Sequence, residues 1–198
     1  LGVTLHPEPT GLRESVVVPS DGLTAGLPPE VAEVVGHALP RLKAYQDASY
    51  IDEYRAHLQP VINLGHVELA AEVARGLALW MTFEDTIRVA EVKTEPARLR
   101  QFLEDDADKL VKVSDFMKPR LQELAGTMPA TLGEWVLSSK VAKALLSPLV
   151  RGLTLPTSSA RGYLALRFIA QLKRHRRRTL RFKREQVEML GWLELVLE

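Results

Sequence analysis

Three charged residues lie beside apolar side chains in the predicted helical stretch Leu77–Thr94. On a 3.6-residue wheel, Glu84 and Glu91 fall on the same side as Trp80, and Arg88 lies at the edge of that side. Such a ladder can bind a carboxylate or a phosphate through its arginine. It can also be a structural ion-pair network, which is the commoner role of such clusters. The first candidate site is Trp80, Glu84, Arg88 and Glu91.

A second cluster is the basic run Lys173–Arg184, which contains eight basic residues and no acidic one. The rest of the chain has 18 basic and 25 acidic residues, a formal charge of −7, although the whole chain has +1. The run can therefore form an internal electrostatic contact, dock a protein or bind phosphates such as those of CoA. The candidate docking or phosphate-binding residues are Lys173, Arg174, Arg176, Arg177, Arg178 and Arg181.

A nucleic acid is an alternative ligand for this run, because clustered cations neutralise phosphates. Phe182 is the only aromatic residue in the run, so a platform on which bases could stack is nearly absent. A helix, a turn and a helix around 173–178 resemble a DNA-binding motif only superficially, because the turn has no glycine. The alternative is a stand-alone nucleic-acid-binding helical protein.

The residue types exclude several other chemistries. The chain has no cysteine, which excludes disulfides, thiolate zinc sites, iron–sulfur ligation by cysteine and a cysteine nucleophile. The five histidines are scattered without the i, i+4 spacing of a helical metal site, so no metal is predicted. The chain also lacks a Walker loop, a dinucleotide fingerprint and a nucleophile elbow. No catalytic residue can be assigned.

The hydrophobic periodicity predicts a mostly α fold. We expect a multi-helix orthogonal bundle with an extended N-terminal arm and at most one or two short strands. Residues 1–28, rich in Pro, Gly and Thr, are predicted to be an arm or linker, and residues 29–198 a helical domain. Because the chain starts with Leu1 rather than Met, we expect a fragment or a processed product. The arm is then a candidate for the trailing edge of a missing α/β domain.

Several boundaries follow from local signals. Asp47, Thr94 and one of residues 157–159 are predicted helix N-caps, and three prolines are predicted to kink or end helices. The predicted helices are 30–39, 41–60, 67–93, a short one after Thr94, 119–125, 130–146, 160–172 and 183–197; the three prolines are Pro40, Pro60 and Pro148. Weak alternation predicts a strand at 110–113, and residues 151–157 are expected to be extended.

Three of these helices have predicted faces. The helix at 160–172 is apolar nearly all round, so we expect it at the centre of the core. The final helix is expected to bury Met189, Leu190, Leu193, Val196 and Leu197. On the long helix, Asp85 points away from Trp80, toward solvent or another helix. No apolar run approaches the roughly 20 residues that span a bilayer, so we expect no membrane partner and a cytoplasmic location.

Four segments resemble, in the same order, the C-terminal half of bacterial indolepyruvate ferredoxin oxidoreductase beta-subunit proteins. These proteins belong to the 2-oxoacid:ferredoxin oxidoreductase superfamily. The segments are Arg41–Tyr54 (RLKAYQDASYIDEY), Leu77–Thr94 (LALWMTFEDTIRVAEVKT), Asp115–Leu124 (DFMKPRLQEL) and Thr157–Trp192, which includes SSARGYLALRFIAQLKRHRRRTLRFKREQ. The resemblance covers roughly residues 30–198 and rests on the order of the segments, since none of them is a catalytic motif.

The resemblance implies a part of an enzyme that oxidatively decarboxylates arylpyruvates to aryl-acetyl-CoA. Thiamine diphosphate and iron–sulfur clusters are then expected in a partner subunit or in other domains, and CoA and ferredoxin are used by the whole complex. The chain lacks the Rossmann-like part of the family, a thiamine motif and cysteine ligands. We therefore expect a non-catalytic helical domain that is inactive alone and contributes to subunit assembly or to a substrate or CoA cavity.

Overall fold

The computed structural model describes residues 22–96, 115–117, 120–150, 153–155 and 159–198. Within them the chain forms nine α-helices, one 3-10 helix and two three-residue strands, which confirms the predicted mostly α fold. The α-helices are α1 (Pro29–Tyr45), α2 (Ala48–Asn63), α3 (Val67–Met81), α4 (Thr86–Lys93), α5 (Leu121–Thr127), α6 (Ala130–Ser138), α7 (Lys140–Val150), α8 (Ala160–Gln171) and α9 (Leu180–Leu197). Strands β1 (Asp115–Met117) and β2 (Leu153–Leu155) pair antiparallel, and the 3-10 helix (Leu172–Arg178) joins α8 to α9.

The main hydrophobic core lies among α1, α2, α3 and α9. Buried residues recur every three or four positions along α1, so one stripe of that helix faces the core. The same stripe pattern occurs on the other three helices, and the fully buried side chains include Val31, Leu42, Tyr54, Leu58, Leu77 and Met189. A smaller cluster of Ala125, Val136 and Ala142 holds α5, α6 and α7 together.

Two predicted N-caps are confirmed. The Asp47 carboxylate accepts a hydrogen bond from the Tyr50 backbone N–H at 3.1 Å, and the Ser159 hydroxyl accepts one from Gly162 at 3.1 Å. Thr94 ends α4, where its hydroxyl donates to the Ala90 carbonyl at 2.8 Å, and its predicted role as an N-cap of the next helix stays a prediction. The short helix predicted after Thr94 lies outside the described residues from 97 onward. Local hydrogen bonding therefore sets two helix starts as the sequence predicts.

The three prolines do not end their helices. Pro40, Pro60 and Pro148 lie inside α1, α2 and α7, so the predicted helix ends at Pro60 and Pro148 and the predicted restart at Pro40 are wrong. The alternative of a kink at Pro40 stays a prediction. A proline inside a helix removes one backbone hydrogen bond and costs about 3 kcal/mol. In α1 the residues on both sides of the proline, Ala38 and Leu42, are buried in the core. Tertiary packing therefore offsets the local cost there.

The long helix predicted at 67–93 is two helices. α3 ends at Met81, and α4 begins at Thr86 after a turn. The Asp85 carboxylate accepts a hydrogen bond from the Arg88 backbone N–H at 2.6 Å, which makes Asp85 the N-cap of α4. Because a capping aspartate competes with continuation of the preceding helix, the wheel drawn through both segments does not describe their faces.

The expectation that the helix at 160–172 is the centre of the core is wrong. In α8 only Gly162 and Leu166 are buried, whereas Leu164 is 64% and Phe168 is 66% exposed. α8 packs mainly on α4. Apolar content indicates that a helix can be buried on several sides, but burial also needs neighbouring elements on those sides.

The final helix differs from its prediction in the same way. Met189 and Leu193 are buried and Val196 is half-buried, but Leu190 is 41% and Leu197 is 39% exposed. The predicted helix at 130–146 is also divided, because α6 ends at 138 and α7 begins at 140. These boundaries depend on packing against other helices rather than on local signals.

The predicted strand at 110–113 and the arm at 1–21 lie outside the described residues. The extended segment expected at 151–157 contains β2, where Thr154 pairs with Phe116 of β1. Residues 22–28 form turns before α1 begins at Pro29, and the division into an arm and a domain stays a prediction. No helix within the described ranges is long and apolar enough to cross a membrane.

Gly133→Ala is expected to destabilise the fold by about 1–3 kcal/mol, since overpacking of a tight contact has this cost. Gly133 lies where α6 crosses α5 and α9. A Cβ atom there would overlap the Ala125 carbonyl oxygen and lie 2.9 Å from Leu180 Cδ2. Urea unfolding followed by circular dichroism measures the change in the free energy of unfolding.

Gly191→Ala on α9 is the matched control. No atom lies within 4 Å of the Cβ position at Gly191, so helix propensity alone should stabilise the chain by about 0.5–1 kcal/mol. Equal effects of the two substitutions would contradict the close contact at Gly133.

Candidate functional site

A fully buried arginine joins three elements of the fold. The 3-10 helix places Arg176, whose side chain is 0% exposed, against α1 and α4. Its Nε donates to Asp85 Oδ2 at 2.8 Å, and its Nη2 donates to Glu91 Oε2 at 3.0 Å. Nη1 donates to the Tyr45 backbone carbonyl, and the guanidinium carbon lies 4.1 Å from the centre of the Tyr45 ring. We call these four residues the Arg176 cluster.

The charges in the Arg176 cluster compensate each other. Burial alone would lower the pKa of Arg176, but Asp85, Tyr45 and Glu91 outweigh burial and raise it. The guanidinium is therefore permanently charged and cannot exchange a proton near neutral pH. Such a group can bind and orient carboxylates but cannot act as a general acid or base. The arrangement is that of a structural ion-pair network.

Asp85 has two roles in the cluster. Its carboxylate caps α4 by accepting a hydrogen bond from the Arg88 N–H, and it also accepts hydrogen bonds from the Arg176 guanidinium. The residue is 5% exposed, so the alternative that it faces another element rather than solvent is the one observed. One carboxylate thus determines both where α4 starts and how the 3-10 helix docks.

The residues of the first candidate site do not form one group. Glu91 belongs to the Arg176 cluster, and Arg88 Nη1 lies 3.7 Å from Glu91 Oε2. Glu84 is exposed and has no ion pair with any described residue. Trp80 instead donates through Nε1 to Glu185 Oε2 at 3.1 Å, and its ring packs against Trp192. The turn between α3 and α4 interrupts the helix, so Trp80 does not share a helical face with Arg88 and Glu91.

Three further residues of the basic run also pair with acidic side chains. Lys173 Nζ lies 3.5 Å from Glu91 Oε1, Arg177 Nη1 lies 2.5 Å from Glu53 Oε1, and Arg181 Nε lies 3.5 Å from Glu185 Oε1. A second contact of Arg177 reaches the N-cap residue Asp47, at 3.6 Å. Half of the run's eight cations are therefore used inside the domain, counting Arg176.

The other four cations of the run are exposed: Arg174, Arg178, Lys183 and Arg184. Within the described residues none of them forms an ion pair. The sequence left open whether the run is an internal electrostatic contact or a docking surface. The geometry places Lys173, Arg176, Arg177 and Arg181 in internal contacts, and docking or phosphate binding by the basic run stays a prediction.

Three tyrosines are buried: Tyr45 of the cluster, Tyr50, whose ring centre lies 6.0 Å from that of Tyr45, and Tyr54. The Tyr50 hydroxyl donates to the Met81 carbonyl and the Tyr54 hydroxyl to the Ala74 carbonyl, both at 2.9 Å. The Tyr45 hydroxyl is buried, and no described residue is its hydrogen-bond partner. Burial raises the pKa of all three phenols well above the ordinary value, and the negative charge of Asp85 adds to the rise at Tyr45.

Neither Tyr45 nor Asp85 was predicted from the sequence as a site residue. For Asp85 a signal was present, because an aspartate directly before Thr86-Ile87 is a typical N-cap pattern. For Tyr45 no local signal exists, since its contribution is a backbone carbonyl and a ring face. Within the described part of the chain, no group of three or more metal-ligating side chains comes together.

A family model matches residues 31–198, which is most of the chain, and its description is "Family of unknown function (DUF6537)". The chain therefore belongs to the DUF6537 family. Searches of curated proteins and of solved structures found no significant match to this chain.

Proposed function

We propose that this member of the DUF6537 family is the helical domain of an indolepyruvate-type 2-oxoacid:ferredoxin oxidoreductase subunit. It holds subunits of that complex together and has no chemistry of its own. The parent complex oxidatively decarboxylates arylpyruvates to aryl-acetyl-CoA in the cytoplasm, with thiamine diphosphate and iron–sulfur clusters in the partner subunit and ferredoxin as a further partner. The assignment to an oxidoreductase subunit is supported by the four segments that resemble the beta subunits in the same order.

The observation that favours an assembly role is a set of exposed apolar pairs on consecutive helices. Leu164 and Phe168 on α8 are 64% and 66% exposed, and Val141 and Leu145 on α7 are 75% and 77% exposed. Residues four apart lie on the same face of a helix, so each pair forms a small apolar surface. Paired exposed apolar side chains are typical of protein-contact surfaces.

The face of α8 is the surface to which we assign the contact. The opposite side of α8 packs on α4, which is itself held by the Arg176 cluster. Phe168 thus lies on a helix whose opposite side is fixed to the domain. A large aromatic side chain next to Leu164 suits a pocket on a partner subunit. The Arg176 cluster then has the role of a structural support.

The geometry gives less support to the nucleic-acid alternative. Four of the eight cations of the run pair with acidic residues inside the domain, so fewer are available for phosphates. The only aromatic residue of the run, Phe182, is 6% exposed and cannot stack on a base without leaving the core. Binding of nucleic acid would then depend on the four exposed cations Arg174, Arg178, Lys183 and Arg184.

The test is affinity purification of the natural polypeptide that contains these 198 residues, from its own cells. We expect thiamine diphosphate and iron–sulfur clusters to co-purify, and the preparation to reduce ferredoxin when indolepyruvate and CoA are supplied. The variant Leu164→Ser/Phe168→Ser should lose the co-purifying cofactors, because loss of an aromatic anchor costs about 2 kcal/mol or more of binding free energy.

The matched control is Val187→Ser, which removes an apolar side chain of α9 that is 71% exposed. It should keep both cofactors. A wild-type preparation without thiamine diphosphate and iron would contradict the assignment to a 2-oxoacid oxidoreductase. A double variant that keeps both cofactors would contradict the contact on α8 and leave the oxidoreductase assignment intact.

A further inference from the structure

A cleft of about 350 Å³ lies between α1 and the segment made of the turn after α3 and α4. Its walls include Arg41 of α1, Arg88 and Lys93 of α4, and Glu84 of the turn. Even without Lys93, the two arginines Arg41 and Arg88 outnumber Glu84, the one acidic residue among these. The volume is within the range of small-molecule sites, and the charge favours an anion.

Arg41 is held at the cleft by one hydrogen bond. Its Nε donates to Thr82 Oγ1 at 2.6 Å, and the Thr82 hydroxyl donates to the Ala78 carbonyl at 2.7 Å. Thr82 is 4% exposed, so the anchor is buried, whereas Arg41 itself is exposed. The two terminal nitrogens of Arg41 have no acceptor among the described residues. A guanidinium held in this way can bind a carboxylate or phosphate with its terminal N–H groups.

Arg88 is the second cation that a ligand can use. Its Nη1 lies 3.7 Å from Glu91 Oε2, which is longer than a hydrogen bond, and that oxygen already accepts from Arg176 at 3.0 Å. Arg88 is thus weakly held, and its side chain is 33% exposed. Val89 and Val92 add an apolar part to the same lining.

Tyr45 lines the same cleft and is 1% exposed. Its hydroxyl is buried and has no hydrogen-bond partner within the described part of the chain. This hydroxyl oxygen is closed off from solvent, so it is not among the groups that a ligand in the cleft contacts.

We propose that this cleft binds a small organic anion. Arg41 and Arg88 bind its carboxylate or phosphate group, and Val89 and Val92 contact its apolar part. Glu84 in the lining repels the anion, which sets an upper limit on affinity. The inference goes beyond the proposed assembly role and does not rest on it, because it concerns a cleft on α1 and α4 rather than the exposed face of α8.

The experiment is isothermal titration of the full 198-residue chain with benzoate, with its neutral analogue benzamide and with inorganic phosphate. We expect benzoate to bind at least about tenfold more tightly than benzamide. Arg41→Gln and Arg88→Gln should each weaken benzoate binding by about tenfold or more, as expected for loss of a charge-assisted hydrogen bond. Glu84→Gln should strengthen it, and Arg55→Gln on α2, a matched exposed arginine outside the cleft, should leave it unchanged.

Binding of phosphate in place of benzoate, with the same dependence on Arg41 and Arg88, would support the site and assign its anion to the phosphate class. Equal binding of benzoate and benzamide would overturn the proposal. So would binding that is insensitive to both arginines, or no binding of either anion at about 20 mM, which corresponds to negligible affinity. The comparison of benzoate with benzamide uses the wild-type chain, so it decides the matter even where a variant fails to fold.

Discussion

Arg176→Ala is expected to lower the free energy of unfolding by about 3–5 kcal/mol, the range for breaking a buried ion pair. The substitution leaves the carboxylates of Asp85 and Glu91, 5% and 17% exposed, without their shared cation. It also removes the donor to the Tyr45 carbonyl and the cation over the Tyr45 ring. Urea unfolding followed by helical circular dichroism measures the change.

Arg174→Ala is the matched control, since Arg174 is an exposed arginine of the same 3-10 helix. Its effect should stay within about 0.5 kcal/mol, as for ordinary surface substitutions. A loss below about 1 kcal/mol for Arg176→Ala would show that the cluster is hydrated or rearranges, and the buried ion-pair interpretation would fail.

A triple variant separates the loss of the cation from the cost of orphaned carboxylates. Arg176→Met/Asp85→Asn/Glu91→Gln removes all three charges and retains an N-cap at position 85. Neutral groups of similar shape often replace a buried ion pair at small cost. The triple variant is therefore expected to be more stable than Arg176→Met alone. The difference measures the cost of leaving Asp85 without its cation and Glu91 with only Lys173 and Arg88 as cationic neighbours.

Alkaline pH is expected to unfold the domain through the buried phenols of Tyr45, Tyr50 and Tyr54. Burial raises the pKa of each phenol in the folded state, whereas an unfolded tyrosine loses its proton near pH 10. Above pH 10 the unfolded chain therefore binds fewer protons than the folded chain. The stability that is fully present below pH 10 falls as the pH rises toward the higher folded pKa values.

The slope of this loss is large, because the three groups act together. Each contributes about 1.4 kcal/mol per pH unit, so the three together remove about 4 kcal/mol per unit. A domain of ordinary stability, about 5–15 kcal/mol, would unfold within roughly one to four units above pH 10. Tyrosinate absorbance at 295 nm and helical circular dichroism should change together as the pH is raised.

Tyr54→Phe tests the mechanism. The variant loses one hydrogen bond, to the Ala74 carbonyl, which costs about 1 kcal/mol at neutral pH. It also removes one of the three titrating groups, so the alkaline slope should fall by about one third. If these phenols lost their protons at a pH well below the pH at which the helices unfold, their burial in the folded chain would be contradicted.

Local chemistry determined a definite part of this structure. The caps at Asp47 and Ser159 are where the sequence places them, and the mostly α composition follows from the periodic apolar residues. Both signals involve residues three or four apart, within one turn of helix. The capping signal at Asp85 was equally local, but the apolar periodicity across it favoured a single helix, and the cap prevailed.

Only the tertiary structure decided which of eight similar cations became the buried one. Arg176 is 91 residues from Asp85, 85 from Glu91 and 131 from Tyr45 in the chain. Its neighbours Arg174 and Arg178 have the same chemistry and remain exposed. Phe168 and Leu164 are as apolar as many core residues and remain exposed as well. The residue type determines whether burial is favourable. The elements that pack around a residue determine whether burial happens, because desolvation is offset only by partners that the fold brings from elsewhere in the chain.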